Sequence, residues 1–291
     1  MKKSERQAIA ALPIILVVAA LVAVAGSSAG QRAFGVPVFA LCALLSFVIN
    51  WLVFVPSYLA RTEHYFDLTG STCYVTLTLV ALLLTPSVDA RGVVLGVMVI
   101  VWALRLGSFL FLRVRRSGRD ARFDEMKQSF PRFLMAWTLQ GLWVLFTAAC
   151  ALTAISATAA LPLDAFALIG SLLWLAGFAM EVIADAQKSA FKADPDNADR
   201  FISSGLWAWS RHPNYAGEIL LWLGIAVIAY PALQGWQLAT LISPVFVYVL
   251  LTRISGIPLL ESRANRKWGD DPAYQDYKAR TPVLWPRPPR S

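Results

Sequence analysis

The stretch Phe133-Leu-Met-Ala-Trp-Thr-Leu-Gln-Gly-Leu-Trp-Val-Leu-Phe-Thr-Ala-Ala-Cys-Ala-Leu-Thr-Ala-Ile155 runs 23 residues without a charged side chain. A helix of about 20 residues crosses the hydrocarbon core of a bilayer. A soluble amphipathic helix would show a charged face at this length, so the stretch reads as a membrane span. Working outward, seven further runs qualify: 8–24, 36–60, 70–85, 93–112, 161–184, 215–230 and 236–254. The composition agrees. Of the 291 residues 57% are apolar or aromatic and only 15% are charged, against about 25% charged in soluble domains. Mean hydropathy is +0.58. A soluble two-domain enzyme, a disordered chain and a disulfide-built fold are excluded. The expected fold is an all-α integral membrane protein of about eight transmembrane helices.

The first run follows Lys2, Lys3 and Arg6 and precedes small residues, as in a signal peptide. The membrane spans that follow it favour a retained helix. With the N-terminus cytoplasmic, 23 of the 26 Lys and Arg residues fall inside, Arg32 and Arg91 fall outside, and Arg105 lies within a span. Both termini are then cytoplasmic, which requires an even number of spans. The formal charge of +8 reads as positive-inside loops rather than nucleic-acid binding. Cys42, Cys73 and Cys150 are far apart, form no CxxC, and read as buried, inert thiols. His64 and His212 are too few for a histidine-built zinc site, and no metal is expected. Neither a Walker A loop nor a GxGxxG, GxSxG or HExxH motif is present.

Ionisable groups in or beside spans are costly unless paired, so each suggests a function. Asp67 opens the third span. It is open to two readings, a carboxylate favouring the helix dipole or a proton donor at the cytoplasmic mouth. Tyr74, seven residues on, shares its helical face, with Thr78 beyond. Arg105 leads into Arg113, Arg115, Arg116, Arg119 and Arg122. These are orientation charges or a cationic mouth for a phosphorylated ligand. Glu181 and Asp185 stand four apart, as do Lys188 and Lys192. Either this is a solvated helix end, or Asp185 receives ligand hydroxyls or an amide. The densest cluster is Gly205-Leu-Trp-Ala-Trp-Ser-Arg-His-Pro-Asn-Tyr-Ala-Gly-Glu218. Pro213 disfavours helix at His212 and can begin the next helix. That would turn Arg211, His212 and Asn214 toward a pocket at a helix N-terminus. The segment from Glu261 to Gly269, with Tyr274 and Tyr277, alone would pass for an amphipathic surface tail.

Several of these residues carry a resemblance. Gly205-Leu206-Trp207, Arg211-His212-Pro213-Asn214-Tyr215 and Gly217-Glu218 resemble the C-terminal domain of the steroid 5-alpha-reductase family, most nearly its bacterial branch. The tail matches too, through Glu261, Lys267-Trp268-Gly269, Tyr274, Tyr277-Lys278 and Pro282-Val-Leu-Trp-Pro286. The resemblance is densest over 180–286 and extends over 60–145, where Gln140-Gly141 falls in place. It implies a seven-helix core with the first helix added. Residues 1–60 would hold two N-terminal helices, and 61–291 a reductase-like membrane domain whose cofactor-binding part is 180–286.

The implied activity is NADPH-dependent reduction of a carbon–carbon double bond conjugated to a carbonyl, in a steroid-like or other apolar molecule from the bilayer. The expected location is the bacterial cytoplasmic membrane, with the cofactor site facing the cytoplasm. Carried over by matching position, Asp185 would hold the nicotinamide–ribose end. Lys188, Lys192, Arg200, Arg113 and Arg116 would supply cations for phosphates. Asn214, Tyr215 and Glu218 would line the pocket, with Arg211 and His212 as further contacts. The family's acidic catalytic position falls at Asp67. Its tyrosine falls at Trp102, which has no phenolic proton. Tyr74, Tyr65 or His64 could substitute, Tyr74 being favoured by the face it shares with Asp67. The Arg-His-Pro-x-Tyr-x-Gly pattern with a downstream Glu also resembles membrane methyltransferases akin to isoprenylcysteine carboxyl methyltransferase. Those use S-adenosylmethionine, which carries no phosphate and needs few cations.

Overall fold

The computed structural model describes residues 2–117 and 123–289, with the side chains of 113, 114, 116 and 117 outside what is described. The chain is all-α. Among the described residues eight helical segments are long and apolar enough to cross a membrane. Two compact units divide it: residues 1–167 with 226–243, and residues 168–225 with 244–291. These boundaries follow packing.

In unit one, helix α1 (Lys3–Ser27) leads through a two-residue hairpin to α2 (Val38–Leu59). The hairpin pairs β1 (Arg32–Ala33) with β2 (Val36–Pro37). Phe34 and Gly35 turn it at φ of 54° and 78°, the left-handed pair that a tight hairpin needs. Helices α3 (Phe66–Leu84), α4 (Ala90–Ser117) and α5 (Phe130–Ile155) follow. The stretch that announced the fold is the axis of this unit. Most of α5 is buried, because small or apolar residues such as Ala148, Ala149 and Cys150 lie on every face. Helices α1, α2, α3 and α4 pack around it.

Arg91, expected as an outside charge, is fully buried at the start of α4. It donates to the carbonyls of Ile228 (2.7 Å) and Pro162 (2.9 Å) and pairs with Asp164 at 3.0 Å. It therefore fastens the loop before α6 to the end of α7.

Unit two holds most of α6 (Ala165–Ala193) and α7 (Pro213–Ala229). The eighth run differs from the single helix expected over 236–254. Residues Gly235–Leu241 wind as a 3₁₀ helix, Ile242–Val249 as α8, and Leu250–Ile254 as a π turn. A Gln234–Gln237 capping box starts it. Gly256 then breaks the chain before α9 (Ile257–Trp268). Its missing side chain matters there, since a Cβ would lie 2.4 Å from the Leu251 carbonyl oxygen and 2.9 Å from the Tyr215 ring. Helix α10 (Pro272–Arg280) starts at Asp271, whose side chain accepts from the Ala273 N–H. The tail is not a free surface segment. Tyr274 and Tyr277 are buried, and Lys267 and Trp268 donate to the carbonyls of Ala198 and Asp199.

Candidate functional site

In unit two the site begins with glycines. A Cβ on Gly177 of α6 would sit 2.5 Å from the Gly217 carbonyl oxygen, and one on Gly217 of α7 2.6 Å from that of Gly177. Two turns on, a Cβ on Gly224 would sit 2.6 Å from the Gly170 oxygen. The two helices meet backbone to backbone, an approach that small residues allow. The consequence is positional. The C-terminal half of α6, with Glu181 and Asp185, lies against the first turns of α7. Both carboxylates are buried, at 2% and 6% exposure, so the solvated-helix-end reading is corrected for these two. Asn214 Nδ2 donates to Asp185 Oδ1 at 3.2 Å. Glu218 is half-buried one turn further along α7.

The loop before α7 is tied down at every residue type the sequence singled out. Gly205 takes φ +60°, and Gln187 Oε1 accepts the Leu206 N–H at 3.0 Å. Trp207 Nε1 donates to the Ala184 carbonyl at 3.0 Å, and Lys188 Nζ stands 4.3 Å above the Trp207 ring. A cation over an aromatic face is worth about 0.5–2 kcal/mol. The C-terminal segment straps the loop. Tyr277 Oη donates to the Trp207 carbonyl (2.7 Å), Ser210 Oγ to that of Leu284 (2.7 Å), and the Arg211 N–H to that of Pro282 (2.9 Å). Burial pushes the Tyr277 hydroxyl pKa up.

Helix α7 starts at Pro213, as expected from the proline. Arg211 and His212 share one partner that the sequence did not assign. Arg211 Nη1 donates to Glu261 Oε2 at 2.8 Å, and His212 Nε2 lies 2.8 Å from Glu261 Oε1. Glu261 on α9 thus bridges the two motif residues. The His212 ring stacks on Tyr215, with centroids 5.8 Å apart and planes at 11°. Burial lowers the His212 pKa, against the opposing pull of Glu261 and together with the nearby Lys188 and Arg211 charges.

Lys192 and Arg200 are exposed. Arg113 and Arg116 fall in the last turns of α4, their side chains outside the described part; Arg119 and Arg122 lie outside the described residues. The structure thus brings together Asp185 with Asn214, and Arg211 with His212 through Glu261, Tyr215 stacking on the His212 ring. Lys188 is drawn to the Trp207 ring.

In unit one, Asp67 lies in the first turn of α3, and Tyr74 on the same helix packs edge-on against Trp102 of α4. Their centroids are 5.1 Å apart at 84°. Gln140 of α5 donates through Nε2 to the Phe66 carbonyl at 2.8 Å, fastening the turn that carries Asp67. Gly70 permits this, since a Cβ there would fall 2.4 Å from the Gln140 amide nitrogen. Just before α3, the buried Glu63 carboxylate accepts from Lys127 Nζ at 2.7 Å. His64 and Tyr65 occupy the same loop, His64 Nδ1 lying 2.7 Å from Thr62 Oγ1. Arg105 places its guanidinium 5.3 Å from the Phe109 ring centroid. Cys42, Cys73 and Cys150 are buried and form no disulfide. Among the described residues no group of three His, Cys, Asp or Glu side chains is placed to hold a metal.

A family model described as a protein of unknown function, DUF1295, matches residues 53–281. The chain belongs to the DUF1295 family. The matched segment contains Asp67, Tyr74, every cofactor candidate and Glu261, while α1 and the hairpin lie outside it. No curated protein and no solved structure matches the chain.

Sequence reasoning missed the glycine seam, the Glu261 bridge and the Gln140 tie. The seam had a signal: Gly170 and Gly177, and Gly217 and Gly224, each repeat at seven residues, two helical turns. The Glu261 bridge had none, since 49 residues separate it from His212.

Proposed function

We propose that this DUF1295 protein is a membrane-embedded, NADPH-dependent reductase of a carbon–carbon double bond conjugated to a carbonyl in an apolar, steroid-like or lipid substrate. The observation that carries the reading is the part-buried Asn214–Asp185 pair at the start of α7. It stands in the segment that resembles the steroid 5-alpha-reductase C-terminal domain. Asn214 Oδ1 is buried and has no partner among the described residues, so the pair keeps an acceptor for a ligand donor. These residues fit a dinucleotide. Asp185, Asn214, Tyr215 and Glu218 would hold its nicotinamide–ribose end, and Lys188, Lys192, Arg200, Arg113 and Arg116 would attract its phosphates. When bound, NADPH supplies the hydride for the β carbon.

The chain's own part is the proton. Asp67, in the first turn of α3, donates toward the carbonyl oxygen and stabilises the enolate as charge develops. Tyr74 supplies the hydroxyl that Trp102 lacks, and its ring contact with Trp102 supports that substitution. Gln140 steadies the turn. The site faces the cytoplasm, both termini lie on that side, and the membrane is the bacterial inner membrane. The substrate comes from the bilayer, and neither nucleic acid nor metal takes part.

A second reading is an S-adenosylmethionine-dependent methyltransferase. The Arg211–His212–Glu261 arrangement favours it, because those are the residues that carry that resemblance. Thermal unfolding of the detergent-purified protein with NADPH, NADH and S-adenosylmethionine in parallel separates the two. A ligand at 100 times its dissociation constant stabilises by about 2.7 kcal/mol. Stabilisation by NADPH, lost in Asn214→Ala, is the expected result. Stabilisation by S-adenosylmethionine alone refutes the reductase.

A further inference from the structure

We propose that His212 is a neutral hydrogen-bond acceptor, oriented by Glu261, whose Nδ1 receives an N–H or O–H of a bound ligand rather than a phosphate. The proposal deepens the functional reading above and rests on the same site. It differs from the anion binding that a helix N-terminus by itself suggests.

The argument starts from Glu261. Its carboxylate accepts from Arg211 at one oxygen and faces His212 Nε2 at the other, each at 2.8 Å. An ionised carboxylate only accepts, so Nε2 must carry the ring proton. Nδ1 is then either a lone pair or a second N–H. It is buried, and no partner reaches it among the described residues. A second N–H would leave an unpaired charged donor in a buried site, a costlier fault than an unpaired lone pair. Arg211 and Lys188 add positive charge nearby and disfavour the imidazolium further. The ring is fixed by Glu261 on one edge and by Tyr215 stacked on its face, so Nδ1 points in one direction.

Asn214, two residues on, repeats the pattern. Its Nδ2 is committed to the Asp185 carboxylate, which fixes the amide orientation and leaves Oδ1 as a buried acceptor without a partner among the described residues. Pro213 between them has no N–H to offer an anion. The side chains of His212 and Asn214 at the mouth of α7 therefore present acceptors. Arg211 Nε, also buried and without a partner among the described residues, is a side-chain donor beside them. A carboxamide, an adenine amine or ribose hydroxyls match this set; a bare phosphate does not. Glu261 is then a positioning residue that fixes which nitrogen of His212 is presented.

The chain has two histidines, so imidazole ¹⁵N NMR of the full-length, histidine-labelled protein in detergent reads the site directly. The His64→Gln variant leaves His212 alone in the spectrum. The expected state at neutral pH is a pyridine-type Nδ1 and a pyrrole-type Nε2. NADPH should move the Nδ1 resonance toward a hydrogen-bonded position, and inorganic pyrophosphate should not. Glu261→Gln, whose amide oxygen still accepts, should keep the tautomer, whereas Glu261→Ala should mix the two. An imidazolium, an Nδ1–H tautomer, or an Nδ1 moved by pyrophosphate alone overturns the proposal. So does an Nδ1 that neither NADPH nor S-adenosylmethionine moves. An Nε2–H ring that responds to S-adenosylmethionine and not to NADPH sustains the proposal and refutes the reductase.

Discussion

Gly217→Ala tests whether the α6–α7 seam builds the site. The new methyl would lie 2.6 Å from the Gly177 carbonyl oxygen, 2.7 Å from the Glu181 backbone nitrogen and 3.2 Å from its Cα. All three atoms are backbone on the facing helix, so no side-chain rotation relieves the clash. The helices must part by several tenths of an ångström. Alanine returns about 1 kcal/mol in helix propensity, while overpacking of this kind costs about 1–3 kcal/mol or more. Because every clashing atom is backbone, the cost falls at the upper end of that range, and the net expectation is a loss of about 1–2 kcal/mol, roughly 2–8 °C in Tm for a chain of this size. The same parting lengthens the 3.2 Å Asn214–Asp185 bond and so lowers ligand-induced stabilisation. Thermal unfolding in detergent, with and without NADPH, reads both effects. Gly177→Ala should behave alike, and the double variant should cost less than the sum, because helices already parted are not parted twice. Gly235→Ala is the control. Its φ of 53° makes alanine strained, but no atom lies within 4 Å of the added carbon, so it should destabilise by about 1–2 kcal/mol without touching ligand response. An unchanged Tm and unchanged ligand response in Gly217→Ala would refute the seam argument.

Three further outcomes are expected. The folded-state pKa of His212 is lowered, mainly by burial, so the neutral form's contribution is full above the ordinary histidine value near 6.5 and is lost as pH falls through the lower folded value. Tm measured from pH 8 down to 5 should therefore decline less steeply in His212→Gln than in the native chain, and parallel curves would refute the neutral ring. Arg91→Met should cost about 3 kcal/mol, since two carbonyls and Asp164 lose a charged donor; a change under about 0.5 kcal/mol in thermal or denaturant unfolding would refute the latch. With an enone substrate, Asp67→Asn should lower kcat by about 10²–10⁴ and leave NADPH-induced stabilisation intact, and equal loss of both would move Asp67 out of the proton-donor role.

The sequence by itself determined the class, the number of spans and the start of α7. Apolar runs of fixed length need only the bilayer as partner, and Pro213 acts on its own backbone. The eighth run shows where such reading stops. Its hydropathy announced a span, but 3₁₀ and π windings and the Gly256 break depend on which neighbour fills each turn. The site divides in the same way. Arg211, His212, Asn214, Tyr215 and Glu218 were legible because they are contiguous in the chain. What each does was not. Whether His212 donates or accepts is set by Glu261, 49 residues away. Whether Asp185 is solvated or buried is set by how closely two glycine-faced helices approach. Composition and spacing record what a residue can do; only packing decides which partner it meets, since pairing energies depend on distances that the linear chain does not contain.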